Sequence, residues 1–295
     1  MIKEDRLLKA VDREKKIRMI LASSTGVVEE ARQRHQTSAT ASAALGRVMT
    51  AALMMGSDLK AEADLITIKV DGKGPAGSII ATANSRGEVR AFIAHPQADL
   101  PSLYPGKLAV GELVGRDGFF EISRDMGLKQ PFVGRTPLLS GEIAEDLANY
   151  FLSSEQIPSL VSLGVLVGPD LGIQSAGGLI VQALPGAADE LLEIIERNAA
   201  GLGPLSHALY ECDSLDRMLG MVAYGIEYEV VGGLPLKYRC NCSYERLAGI
   251  LASLSRDEIV EICDENGAVE VCCNFCNERY VFQGEDILAL KSEKP

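Results

Sequence analysis

Apolar positions along the chain change their period several times, and each change marks an element. Leu7, Leu8 and Val11, then Ile17, Met19 and Leu21, alternate weakly with charges on either side of Asp12–Lys15, which predicts two strands around a turn. Residues 26–36 have a helical pattern, with Val27, Val28 and Ala31 on one face. From Thr40 the chain runs through Ala43, Ala44, Leu45, Val48, Ala51, Ala52 and Met55 with almost no polar face, which predicts a helix buried on most sides. Strict alternation returns at 65–71, where Ile66, Ile68 and Val70 oppose Thr67 and Lys69. Further strands are expected at 78–83 and 88–93, and a hairpin of 107–113 with 118–123 around Asp117-Gly118. A helix opening at Ser140 spaces Ile143, Leu147, Tyr150 and Phe151 by turns, and 161–167 and 172–184 read as strands joined by Gly168-Pro169-Asp170. Hairpins and a few helices without a regular βαβ rhythm predict an α+β core domain over residues 1–184.

Pro185-Gly186 marks a change of character. Residues 187–200 form an amphipathic helical pattern, with Leu191, Leu192, Ile194 and Ile195 on one side. Asp189, Glu190, Glu193 and Glu196 enrich its first half, where acid complements the helix dipole. One or two short helices anchored by Leu209, Leu215, Leu219 and Val222 follow, then extended pieces at 226–230 and 234–238 around Gly232-Gly233. This stretch, 185–238, has too little apolar content to hold a core of its own. It is read as a helical linker that lies against another part of the chain, with an ordinary part of the main domain as the alternative.

The last segment, 239–295, predicts a compact metal domain. Ser243 can cap a helix to about Leu254, and Ser255 with Glu258 matches a capping box for a second short helix. Asn266-Gly267 is a hairpin turn signal, and 268–271 and 279–282 would form a small ribbon with Cys273-Asn274-Phe275-Cys276 at its tip. Cys240-x-Cys242 and Cys273-x-x-Cys276 bring two thiolate pairs, and four thiolates suit one tetrahedral ion. Zinc is preferred to an iron–sulfur centre, at one Zn(2+) per chain. Cys272 would give CxxxC with Cys276, but a two-residue knuckle favours Cys273 as the ligand. Cys212 and Cys263 sit on apolar helical faces and read as small buried hydrophobes.

Composition narrows the function. The chain has 295 residues, no tryptophan and a formal net charge of −12, which argues against a general phosphate-binding surface. Arg32, Arg34 and His35 are the best candidates for a local basic patch, with a solvated helix face as the plainer reading. No secretory apolar region follows the charged N-terminus and no apolar run is long enough to cross a bilayer, so a cytoplasmic location is expected. Nucleotide-binding glycine motifs are absent, and His35, His95 and His207 are scattered, so a histidine-centred enzyme is not indicated.

The CxC pair carries further chemistry. It can close a small, strained disulfide once its metal leaves, and strain raises the reduction potential. Oxidation would turn four ligands into two local disulfides and eject the ion. A domain this small has little core to survive that loss. The pattern therefore points to a redox-driven switch from order to disorder. A zinc-ribbon adaptor for nucleic acid or protein is the alternative, but the acidic insert of Asp257, Glu258, Glu261, Asp264, Glu265 and Glu270 disfavours it.

The whole chain resembles the bacterial redox-regulated heat-shock holdase chaperones, the thirty-three-kilodalton chaperonin family. The resemblance is carried by the CxC and CxxC pairs, by Thr40-Ala41-Ser42-Ala43-Ala44-Leu45-Gly46-Arg47, by Ser153-Ser154-Glu155-Gln156-Ile157-Pro158 and by Ala176-Gly177-Gly178. It implies a zinc-bound, inactive reduced state with Cys240, Cys242, Cys273 and Cys276 as ligands. It implies oxidation to Cys240–Cys242 and Cys273–Cys276 disulfides, zinc loss, and unfolding of the C-terminal domain and linker. The protein, as a homodimer, would then hold unfolding client proteins without ATP and hand them to ATP-dependent foldases. A dimer would also cover sheet edges that the N-terminal hairpins leave open. From the charge and the short apolar runs, no nucleic-acid partner and no membrane are expected.

Overall fold

The structure, a computed structural model, describes every residue but 1, 3, 103, 105 and 293–295. Met1 and Lys3 of the charged N-terminus therefore lie outside the described residues, as does the side chain of Asp189. The chain forms two compact units, Met1–Arg239 and Cys240–Pro295.

In the first unit, β1 (Arg6–Asp12) and β2 (Ile17–Ser23) form the expected hairpin, whose turn is closed by Asp12 Oδ1 accepting from the backbone of Lys16 and Ile17. Helices α1 (Thr25–His35) and α2 (Ala39–Gly56) follow, and nearly every side chain of α2 is buried. Ser38 caps α2 by accepting from the Ala41 amide, the bond that orphan donors of a first turn require. Strands β3 (Leu65–Asp71), β4 (Ile79–Asn84) and β5 (Glu88–Ile93) run antiparallel.

The expected strand at 107–113 is absent. Residues Val110–Val114 form a short helix, α3, which buries Val110, Leu113 and Val114 at helical spacing. The hairpin partner of β6 (Phe119–Asp125) is instead β7 (Phe132–Pro137). Helix α4 (Ala144–Tyr150) runs into one π-helical turn at Phe151–Glu155, and β8 (Ser159–Val167) and β9 (Ile173–Ala183) form a long hairpin.

Helices α5 (Asp189–Gly201), α6 (Leu205–Glu211) and α7 (Leu215–Val222) come next. The two extended pieces expected around Gly232-Gly233 are one strand, β10 (Tyr228–Pro235), which continues through the glycines, and β11 (Lys237–Tyr238) follows. One sheet has the order β10-β1-β2-β9-β8, the other β11-β5-β4-β3-β6-β7. All pairings are antiparallel except β11 with β5.

Helix α2 packs on β3, β4 and β5 of one sheet and on β2, β8 and β9 of the other. Strand alternation then assigns the opposite face of the first sheet to α5–α7. Met19, Leu21, Leu179 and Val181 point there and join Ile195, Leu209, Leu215 and Leu219 in one apolar cluster. Two glycines make this double packing possible. A Cβ on Gly177 would stand 2.2 Å from the Ala22 carbonyl oxygen and 2.5 Å from Leu209, and one on Gly178 would stand 2.6 Å from Met54 Sδ on the other face. Gly46 of α2 is equally confined, its absent Cβ falling 2.7 Å from Val28.

The second unit contains α8 (Tyr244–Leu251), α9 (Arg256–Ile262), β12 (Ala268–Cys272), β13 (Arg279–Gln283) and α10 (Gly284–Ser292). Ser243 caps α8, and Ser255 with Glu258 makes both halves of the capping box on α9. The Asn266-Gly267 turn leads α9 into β12 and does not join two paired strands. Its backbone is held by Asp264 Oδ1, which accepts from Asn266 and Ala268. No helix among the described residues is long and apolar enough to cross a membrane.

Candidate metal centre

The site is assembled from two backbone devices. The first is the extended segment before α8, where Cys240 and Cys242 fall on the same side because they are two residues apart. The second is the tip of the β12–β13 ribbon. There Cys273 N–H donates to Glu278 O at 2.9 Å, and Cys273 O accepts from Cys276 at 3.2 Å and from Asn277 at 2.7 Å. Asn277 takes a left-handed conformation, φ 60°, which closes the turn.

The sulfurs of Cys240, Cys242, Cys273 and Cys276 all lie within 4.8 Å of one another. Sγ of Cys240 is 3.7 Å from that of Cys273, and Sγ of Cys242 is 3.3 Å from that of Cys276. Metal–sulfur bonds of about 2.3 Å in a tetrahedron give sulfur–sulfur edges of about 3.8 Å, so the donor set fits an ion such as zinc. All seven cysteines are free thiols. Cys272 ends β12, one residue before the knuckle, so alternation turns it away. It is exposed, with Sγ 3.2 Å from Asn277 Oδ1. Cys212 is buried in the first unit and donates to the Ser214 carbonyl at 3.2 Å. Cys263 packs half-buried against the small cluster of the second unit.

Burial pushes the Cys240 and Cys276 thiols up. Cys242 goes the other way. Burial opposes its ionisation, but the Tyr280 hydroxyl and the neighbouring thiols outweigh it. A cation among the four would favour the thiolates throughout. Tyr280, whose hydroxyl lies 3.3 Å from Cys242 Sγ, was not signalled by any sequence pattern beyond its place four residues after Cys276. The candidate basic patch is neutralised within α1: Arg32 pairs with Glu29, Arg34 with Glu30, and His35 is buried.

The unit around the site is weakly built. Its apolar cluster consists of short contributions, among them Leu251, Ile259, Phe282 and Ile287. A core of that size leaves a domain marginal without a further tie.

A profile of the Hsp33 protein family matches residues 5–283. A protein of Desulforamulus reducens named 33 kDa chaperonin is 47% identical over 284 residues, covering 96% of each chain. One of Bacillus licheniformis with the same name is 43% identical, covering 98% of this chain and 99% of the relative. The crystal structure of the 33 kDa chaperonin of Thermotoga maritima superposes with a TM-score of 0.89 at 37% identity, over 99% of this chain and 100% of that one.

Proposed function

The chain belongs to the Hsp33 protein family of chaperones, and on that premise we propose that it is a redox-regulated, ATP-independent holdase. In the reduced, inactive state Cys240, Cys242, Cys273 and Cys276 hold one Zn(2+). When bound, zinc ties the four thiolates together and supplies folding energy to a unit whose own core is small. The observation that carries the reading is the convergence of four sulfurs within 4.8 Å in that unit.

The cysteines also serve as the sensor. The Cys240–Cys242 and Cys273–Cys276 pairs each give two electrons to a peroxide or to hypochlorous acid, which is reduced to water or chloride. A disulfide cannot serve as two thiolate ligands, so the ligand set and the folding energy are lost together. Domain 239–295 then unfolds and the linker, 185–238, loses its order on the N-terminal domain, 1–184. The apolar face carrying Leu191, Ile195, Leu209 and Leu219 becomes free for unfolding clients. The net charge of −12 keeps the loaded complex dispersed. The active form is a homodimer in the cytoplasm, and reduction hands clients to ATP-dependent foldases.

The test is a time course after adding peroxide at mild heat. A zinc-sensitive dye, far-UV circular dichroism and suppression of client aggregation are followed in parallel. Zinc release and loss of C-terminal order should precede or accompany holdase activity, without nucleotide. Full activity with zinc bound and all four thiols reduced would overturn the reading.

A further inference from the structure

Tyr280 stands on β13 opposite Val271 of β12, and its hydroxyl lies 3.3 Å from Sγ of Cys242. The direction of that contact follows from the metal-site reading, on which this inference rests. A sulfur bound to a metal has no proton to give, so the phenol must be the donor.

The ring's aim is set by packing. Tyr280 stacks on Phe282 with ring centres 6.5 Å apart and planes at 24°, and Phe282 stacks on Tyr244 at 4.4 Å and 30°. Phe282 is buried in the small core, and Tyr244 is the first residue of α8, two after Cys242. A ladder of three rings therefore runs from the ribbon to the helix that follows the first cysteine pair. It holds the hydroxyl against Cys242 whether or not the hydrogen bond forms.

We propose that Tyr280 is a positioning residue for the metal thiolate of Cys242, and that its hydrogen bond sets how readily the Cys240–Cys242 pair is oxidised. The chemistry is that of a nucleophile. A sulfur lone pair attacks one oxygen of hydrogen peroxide, the O–O bond breaks, hydroxide leaves and a sulfenic acid forms. The second thiolate then displaces hydroxide from that sulfur, closing the disulfide. A donor directed at the sulfur draws on the lone pairs and withdraws charge from a centre where four thiolates surround one divalent ion. Outer partners of this kind orient a ligand and raise metal affinity. Tyr280 thus makes the site both tighter and slower to respond than its cysteines alone would be.

The experiment uses the full reduced chain carrying Tyr280→Phe, which keeps the ring ladder and removes only the hydroxyl. Zinc affinity is read by competition with a chromophoric chelator, and zinc release is timed after adding hydrogen peroxide, with no client present. We expect affinity to fall about ten-fold and release to run several-fold faster. Wild-type values for both would overturn the proposal. So would a Tyr280→Leu variant that loses zinc while Tyr280→Phe keeps it, since that result assigns the residue to packing alone. A 3-fluorotyrosine at position 280 is a stronger donor of the same shape and should release zinc more slowly than wild type. Unchanged or faster release there would also refute the role, even where the Phe variant folds poorly. Wild-type protein that binds no zinc would sink the metal-site reading instead, so the two failures are distinguishable.

Discussion

Replacing Ile195 tests whether the α5–α7 segment restrains activity by lying on the first sheet. Ile195 is 1% exposed and sits in the cluster with Leu179, Val181 and Met19, whereas Leu191, one turn earlier, is only partly buried there. Truncating a buried Ile to Ala costs about 2–5 kcal/mol. Taking about 3 kcal/mol for Ile195→Ala, the opening equilibrium of the segment shifts roughly a hundred-fold, at about 1.4 kcal/mol per factor of ten. Leu191→Ala, with less area to lose, should shift it about ten-fold. Ile195→Asp should exceed both, because the closed state would bury a carboxylate with no partner in that cluster. Hydrogen exchange followed by mass spectrometry on the reduced protein should show faster exchange across 189–222, graded in that order, with β2 and β9 still protected. Suppression of client aggregation without oxidant should rise in the same order. Unchanged exchange would refute the energetic argument, and accelerated exchange without any gain in activity would refute docking as the restraint.

Other expectations concern Glu88 of β5, which is ion-paired with Arg86, Lys237 and Arg239, and the cysteines. Burial alone would raise the Glu88 carboxyl, but Asn84, Lys237 and Arg86 overcome it and hold it down at about 2 against an ordinary 4.5. A carboxyl lowered on folding stabilises the fold above its unfolded value. That contribution is lost as pH falls from about 4.5 toward 2, so Glu88→Gln should flatten the acid limb of denaturant midpoints measured between about pH 5 and pH 2. Serine at any of Cys240, Cys242, Cys273 or Cys276 should abolish stoichiometric zinc in atomic absorption, whereas Cys272→Ala should keep it. Chelator should melt the second unit while leaving β1–β9 amides protected, as seen by exchange. Light scattering of the oxidised protein should report a dimer, and a monomer at micromolar concentration would count against it.

Where side chains carried the structural information, the sequence was readable. The alternation in 65–71, the almost faceless run of α2 and the serine caps of α8 and α9 each appear where their pattern places them. The cysteine pairs were legible because CxC and CxxC spacings are themselves chelate geometry, and ribbon alternation separates Cys273 from Cys272. Elements built on backbone were not legible. In β7 the apolar Phe132, Val133 and Pro137 are exposed while the buried position is the polar Thr136, so no apolar period marks it. β10 crosses Gly232-Gly233 because β1 supplies hydrogen-bond partners, which leave no trace in composition. At 107–113 the alternation of Leu108 with Val110 hid the helical spacing of Val110, Leu113 and Val114. Helix α10 is short and buries little beyond Ile287, and Tyr280 gains its meaning only from a contact across the knuckle.

β10 and β11 occupy the outermost place in both sheets, against β1 from Arg6 to Asp12 and against β5 at Glu88 and Val89. If the 185–238 segment lifts away, it vacates two strand edges as well as an apolar face. An edge offers amide hydrogens and carbonyl oxygens, which are the same in every polypeptide, so pairing there does not depend on side-chain sequence. The resident strand is held with few side-chain contacts of its own. It carries two adjacent glycines, leaves Val230 and Val231 about half exposed, and pairs with β1 across an irregularity at Lys9 and Ala10. The hold of this strand on its edge therefore rests mainly on backbone hydrogen bonds to β1, with little contribution from its side chains.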